Sequence, residues 1–371
     1  MTPVLLVIGT RPEAIKMLPV VRALRSAAQV DLKVVTTGQH RQMLDQVFAV
    51  FGEVPDIDLN LMAPGQTLAD ITTRVLAQMG RLIAEHHPGL VLVHGDTTSA
   101  MAAALAAFYA RVPVGHVEAG LRSHDIARPW PEEYNRISID AVAQLLWCPT
   151  EGAAANLRSE RPGERHIEVT GNSGIDALLH VAGNLRGGEL ETLGLNLDPE
   201  KKLVLVTGHR RESFGEGFAR MCDALATIAA RGDAQIVYPV HLNPQVKDVV
   251  EARLGGAQAI HLIAPVDYVQ MVALMQASHL VLTDSGGIQE EAPALGKPVL
   301  VMRDVTERPE AVATGVASLV GTDPVTITGE VARLIEDEAY YNSRARAVFP
   351  YGDGKAAMRI AASIARFVSA K

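Results

Sequence analysis

Short apolar runs recur along this chain, each closed by a polar loop and followed by a helical stretch. The runs predicted as strands are 3–8, 32–36, 90–94, 112–117 and 167–170, then 203–207, 235–240, 259–263, 279–283 and 298–302. Apolar strands alternating with helices form parallel sheets covered on both faces. The pattern pauses over 183–200, a charged, Gly-rich stretch with no strand. The predicted architecture is therefore α/β, two doubly wound domains joined around 171–185. Such sheets bind ligands at the carboxyl ends of their strands, which for two facing domains is the cleft between them. The last run, 355–370, is helical, with Met358, Ile360, Ala361, Ile364, Phe367 and Val368 close to one stripe. On its own it reads as the last helix of the second domain.

A length of 371 residues allows two domains with a core each. The net charge of -8 and the lack of a Lys/Arg run argue against nucleic acid, but a few local donors still suffice for a small anion. Cys148 and Cys222 make no CxxC pair and read as buried apolar groups. The N-terminal apolar run is about six residues without a basic segment before it, a strand rather than a signal peptide. No stretch reaches about 18 apolar residues, so no membrane span is expected and the default compartment is the cytoplasm.

Several chemistries lack their motifs. No GxGxxG opens a helix after a strand, so a nicotinamide site has no support. Gly296-Lys297 is not a P-loop, since Glu291 stands at the first glycine position and Pro298 follows. His116-Val117-Glu118 has no PCxxC after it, and HExxH and GxSxG are missing. The twelve histidines are scattered without metal-ligand spacing.

The strongest positive signal is TDSGGIQEEA, 283–292, after an apolar run and before a helix expected to open near Ile288. Ser285, Gly286 and Gly287 would present backbone N–H groups at a helix N-terminus, an anion site. Glu291 lies one turn on, about 6 Å along the axis, in reach of the ribose of a nucleoside diphosphate held by the glycines. In GTRPEAIK, 9–16, a capping box explains Thr10 and Glu13, and Pro12 suits a first turn. Neither explains Arg11 or Lys16, two cations suited to a phosphate. Carboxylates on loops form a third group: Asp96, Glu118 and Glu132. Asp96 and Glu118 each follow a strand and should approach each other, a pair able to supply one acid and one base. The plainer readings are Asp96 as a helix cap and Glu132 as a salt-bridge partner of Arg136. His209, Arg210 and Arg211 follow the strand 203–207, and Arg308 follows 298–302.

GTRPEAIK, QHRQMLDQV, HGDTT, GHVEAGLRS, PWPEEYNR, GHRRESFG, YPVHLNP, DSGGIQEEAPALGKPVL, RDVTERPEA and PYGDG, in that order, resemble the non-hydrolysing UDP-N-acetylglucosamine 2-epimerases from about residue 3 to about residue 360. The resemblance implies a glycosyltransferase-B-type fold of two Rossmann-like domains, 1–170 plus 356–371 and 171–355, the final helix crossing back to the first. It implies a homodimer, no cofactor and no metal. It implies elimination of UDP to 2-acetamidoglucal, then readdition with the proton returned to the other face of C2. Asp96, Glu118, Glu132 and His209 would be catalytic, with base and acid unassigned. Arg11, Lys16, Arg136, Ser285, Gly286, Gly287, Glu291 and Arg308 would bind the UDP-sugar. Gln39, His40, Gln42, Gln66, Arg210 and His241 would hold a second, activating UDP-N-acetylglucosamine. Val266 and Met271 depart from the family's usual Gln and Phe, and the loop from His124 to Arg128 is atypical. The alternatives are a hydrolysing epimerase, a glycosyltransferase of the same fold and a UDP-sugar sensor.

Overall fold

The computed structural model describes residues 1–370 apart from 39–40, 64, 161–162, 164–165, 209–215 and 307, and of 41–43 the backbone alone. The chain falls into two compact units, Met1–Leu179 with Tyr351–Lys371, and His180–Pro350.

The first unit is built on seven parallel strands, β1 (Thr2–Ile8), β2 (Val30–Thr36), β3 (Ile57–Asp58), β4 (Leu90–His94), β5 (Val114–Val117), β6 (Leu145–Cys148) and β7 (His166–Val169). Its helices are α1 (Arg11–Arg25), α2 (Arg41–Phe51), α3 (Leu68–His86), α4 (Thr98–Tyr109), α5 (Glu132–Val142), α6 (Glu151–Glu160) and α7 (Ser173–Gly183), which runs on across the boundary. The strand order 3-2-1-4-5-6-7 reverses between β1 and β4. The carboxyl ends of these two strands therefore bound the crevice where such sheets take ligands. Buried on both faces, β1 and β4 are continuous runs rather than alternating ones: Val4 to Ile8 and Leu90 to Val93 are at most 2% exposed. Helix α4 is almost all alanine on its buried side, which lets it pack closely against both α3 and the sheet.

The second unit repeats the plan with β8 (Lys202–Thr207), β9 (Ala234–Pro239), β10 (Ile260–Ile263), β11 (Leu280–Thr283), β12 (Val299–Val301) and β13 (Ala317–Leu319), in order 10-9-8-11-12-13, all parallel. Its helices are α8 (Glu216–Ala230), α9 (Pro244–Leu254), α10 (Tyr268–Ala277), α11 (Gly286–Ala294), α12 (Pro309–Ala313), α13 (Pro324–Glu336) and α14 (Glu338–Arg344). The reversal here lies between β8 and β11, so Gly208 and Asp284 stand at its mouth.

The final helix, α15 (Ala356–Ser369), packs on α1 of the first unit. Asp176 accepts the backbone N–H groups of Ala356 and Ala357, at 3.2 and 2.9 Å, and so caps it. Ile360, Ile364 and Val368 are buried, each worth roughly 1.5–3 kcal/mol. Met358 is 67% exposed and so lies off the stripe assigned to it. Three strands escaped the sequence reading: β3 and β13 are only two and three residues long, and β6 follows α5 after a two-residue link. No helix among the described residues is long and apolar enough to cross a membrane. Cys148 and Cys222 are buried free thiols.

Candidate active site

The loop leaving β1 forms the expected capping box. The Thr10 hydroxyl accepts the Glu13 N–H, and Glu13 Oε2 accepts the N–H of Thr10 at 2.5 Å and of Gly9 at 2.8 Å. The other carboxylate oxygen takes the Thr97 hydroxyl at 2.8 Å, which ties this loop to the one leaving β4. Glu13 is 3% exposed, and burial pushes its carboxyl up to about 7 against the pull of these donors. Gly9 is needed here, since a Cβ would lie 2.9 Å from the Ser99 Cβ. Helix α1 then carries Arg11 on its first turn and Lys16 further along.

Thr97, not Asp96, caps α4, with the Ala100 N–H donating to its hydroxyl at 3.1 Å. Asp96 is thereby left for another use. It is half-buried and forms an ion pair with Arg136 Nη2, and its backbone oxygen accepts Asn135 Nδ2 at 2.9 Å. Beyond β5, Glu118 Oε2 pairs with Lys16 Nζ. A Cβ placed on Gly95 would lie 4.0 Å from Glu118 Oε1, so the loops carrying Asp96 and Glu118 adjoin, as expected. Glu118 has φ +68°, a left-handed conformation uncommon for a residue with a long side chain. Strain of this kind concentrates at functional sites, where the surroundings hold it in place. The salt bridge expected between Glu132 and Arg136 is not formed. Arg136 pairs with Asp96 and, at 3.1 Å, with Glu133. Glu133 is 1% exposed and also accepts the N–H groups of Ser123 and His124, which fixes the atypical loop. Glu132 opens α5, half-buried, and its side chain makes no hydrogen bond among the described residues.

A buried network stands behind these carboxylates. His116 Nε2 donates to the Gly95 oxygen at 2.8 Å, and Nδ1 meets Asp140 Oδ1 at 2.7 Å. Asp140 Oδ2 accepts Arg122 Nη1 at 2.7 Å and the Gly120 N–H at 3.2 Å. Burial raises the Asp140 carboxyl, but His116 and Arg122 outweigh it and hold the group below its ordinary value. His94, at the end of β4, is buried with Nε2 3.7 Å from Glu118 Oε2, and burial drives its ring down to about 3.

In the second unit α11 opens at Gly286, two residues earlier than expected. The Ser285 N–H is already given to Thr283 Oγ1, at 2.9 Å, which leaves Gly286 and Gly287 as the two helical positions whose N–H groups suit an anion. A Cβ at Gly287 would meet nothing within 4 Å, so the approach is open. Glu291 accepts the Tyr268 hydroxyl at 3.1 Å. Arg308 Nε donates to Glu290 Oε1 at 2.8 Å, and its backbone N–H to the Thr306 hydroxyl. Met271 sits one turn after Tyr268 on α10, and Val266 precedes that helix.

A family model described as UDP-N-acetylglucosamine 2-epimerase matches residues 22–365. The UDP-N-acetylglucosamine 2-epimerase of Escherichia coli strain K12 is 54% identical over 363 residues, 96% of each chain. The chain belongs to this family. The solved UDP-GlcNAc 2-epimerase of Neisseria meningitidis, bound to UDP-GlcNAc, is 44% identical with a TM-score of 0.90, over 98% of this chain and 100% of that one. S. aureus MnaA, solved with UDP, is 42% identical with a TM-score of 0.88, over 100% of this chain and 97% of that one. The fold is accordingly the glycosyltransferase-B type, with two Rossmann-like domains.

Of the family residues read from the sequence, the structure brings Lys16 to Glu118 and Arg136 to Asp96, and groups Gly286, Gly287 and Glu291 on one helix. The Arg11 side chain makes no hydrogen bond among the described residues. Both polar atoms of the Gln66 side chain are spent on their own loop, on Ala63 N and Leu61 O. His241 is exposed and accepts the Asn243 N–H at 3.1 Å. His209, Arg210, Arg211, Gln39 and His40, and the side chain of Gln42, lie outside the described residues. Sequence reasoning passed over His94, Tyr268 and the Asp140 network. HGDTT was read for its aspartate alone, and nothing local marks Asp140 or Tyr268 as partners of residues 18 to 24 positions away.

Proposed function

We propose that this protein interconverts UDP-N-acetylglucosamine and UDP-N-acetylmannosamine by elimination and readdition of UDP, without hydrolysis and without a cofactor. The observation that carries the reading is the pair of carboxylates, Asp96 and Glu118, on adjoining loops beside the switch point of the first sheet, each already matched to a cation. The relatives' names and the ligands in their structures supply the substrate.

The C2–H is not next to a carbonyl, so its acidity is low and departure of the diphosphate leads. A base takes the C2 proton, the C–H pair becomes the C1–C2 double bond, and the C1–O bond breaks with its pair leaving on UDP. Reversal with the proton delivered to the other face completes epimerisation. Asp96, Glu118, Glu132 and His209 are the groups for these proton transfers. Arg11, Lys16, Arg136 and Arg308 favour the charge that grows on the leaving group, with the Gly286 and Gly287 N–H groups beside the diphosphate and Glu291 on the ribose hydroxyls. Releasing Lys16 or Arg136 from its carboxylate to a phosphate frees a base at the moment a leaving group is stabilised.

The protein acts as a homodimer in the cytoplasm, and its product feeds cell-surface polysaccharide synthesis. UDP-N-acetylglucosamine also activates at a second site made of Gln39, His40, Gln42, Gln66, Arg210 and His241. Incubation with UDP-N-acetylglucosamine alone, followed by NMR, tests the reading. UDP-N-acetylmannosamine is the expected product. Free N-acetylmannosamine with UDP would make the enzyme hydrolysing, and unchanged substrate would remove the activity.

A further inference from the structure

His94 presents a puzzle that the reaction above does not use. Its side chain is 4% exposed, and neither ring nitrogen has a hydrogen-bond partner. A neutral imidazole always carries one N–H, and a buried donor left unpaired is unfavourable enough to call for an explanation. The ring does not escape the problem by charging, because burial holds it at about 3. The charged or titratable groups that face it are Glu118, Lys16 and His116. Nε2 stands 3.7 Å from Glu118 Oε2, too far for a hydrogen bond and less than about 1 Å from becoming one. That same oxygen is the one Lys16 Nζ holds.

We propose that His94 is a positioning residue for Glu118: when Lys16 turns to a bound diphosphate, His94 Nε2–H donates to the Glu118 carboxylate in place of the ammonium. The inference rests on the reading of Lys16 as a diphosphate ligand and Glu118 as a catalytic carboxylate. Its consequence is chemical. A carboxylate beside an ammonium is a weak base, whereas one held by a neutral donor is stronger and still fixed in place. Glu118 therefore becomes a competent base only once the diphosphate has drawn Lys16 away. The unpaired N–H of the free protein is the position from which it acts.

Two variants and one measurement on the unaltered protein test this. His94→Phe fills the space without a donor, and His94→Gln keeps an N–H at similar reach. The phenylalanine variant should lose at least about tenfold in kcat, with UDP affinity by calorimetry within about threefold of wild type. Its acidic limb should move to higher pH in kcat, which reports the bound enzyme, and stay in place in kcat/KM, which reports the free enzyme where Lys16 still holds Glu118. The glutamine variant should recover kcat to within about threefold of wild type. Equal losses in both variants, or limbs that move together in both profiles, would make His94 a packing residue and overturn the proposal. Wild-type kcat in the phenylalanine variant would do the same. For the wild-type protein labelled with ¹⁵N-histidine, saturation with UDP should bring a downfield, hydrogen-bonded Nε2–H proton on His94. Ring signals unchanged by UDP would refute the substitution of one donor for another. This last arm reads the ring whether or not the sugar reacts, so loss of the epimerase reading and loss of this proposal are told apart.

Discussion

The two sheets end in different chemistry at their carboxyl edges. In the first unit charge meets charge: Lys16 holds Glu118, Arg136 holds Asp96, and the buried Asp140 joins Arg122 and His116 behind them. In the second, the expected ligand contacts are the two glycine N–H groups that open α11, which do not titrate, Arg308, whose guanidinium holds Glu290, and Glu291, which accepts the Tyr268 hydroxyl. A site that moves protons needs groups whose affinity for them is set by neighbours. A site that holds a nucleotide needs donors that keep their state at any pH. The first unit should therefore answer to changes of charge at constant shape, and the second to loss of shape or of a specific contact.

The largest effect expected is structural. Asp140→Ala strands His116, Arg122 and the Gly120 N–H at once and should lower stability by about 3–5 kcal/mol in denaturant titrations. A loss below about 1 kcal/mol would mean that the network does not hold the loops carrying Asp96 and Glu118. Next, Asp96→Asn and Glu118→Gln keep shape and remove the ionisable oxygen. Each should lower turnover by about 100-fold or more while leaving UDP affinity within about threefold. Since Thr97 and not Asp96 caps α4, a capping role is no longer available to explain a null result. Glu291→Ala should do the reverse, weakening UDP binding by about 2–4 kcal/mol in calorimetry. Unchanged affinity there would erase the contrast between the units.

The smallest effect is a pH-dependent one. Glu13 is lifted from 4.5 to about 7 in the folded protein. As pH rises, the unfolded chain gives up this proton first, so stability falls between about pH 4.5 and 7 and stays low above. Glu13→Gln keeps acceptors for the Gly9 and Thr10 N–H groups and removes the charge. It should be more stable than wild type at pH 8 by about 1–3 kcal/mol, with the gap closing near pH 4. A constant difference across that range would show that Glu13 is ionised in both states.

Much of this was legible in the chain itself. Continuous apolar runs such as 90–94 identify fully buried parallel strands, and the loops after them carry Asp96 and Glu118 because parallel sheets place function at carboxyl ends. The box from Thr10 to Glu13 was legible because its bonds span only four residues. What escaped shares a physical cause. The two-residue β3 and three-residue β13 exist through pairing with β2 and β12, not through local propensity. The Asp140 contacts to His116 and Arg122 join residues 24 and 18 positions apart, and those of Lys16 to Glu118 join residues 102 apart. The turn that sets Glu118 at φ +68° leaves no mark in composition. The plainer reading paired Arg136 with Glu132, its near neighbour in the chain, while the fold delivers Asp96 from the loop after β4.

The central claim is that the C2 proton is lost and returned by exchange with solvent, with Asp96 and Glu118 of the first unit taking part in its transfer. Incubation with UDP-N-acetylglucosamine in D2O, followed by proton NMR, tests it most directly. The account predicts deuterium at C2 in both UDP-N-acetylmannosamine and the recovered substrate, at rates that fall together in Asp96→Asn and Glu118→Gln. Epimerised product that keeps its original C2 proton throughout would contradict it.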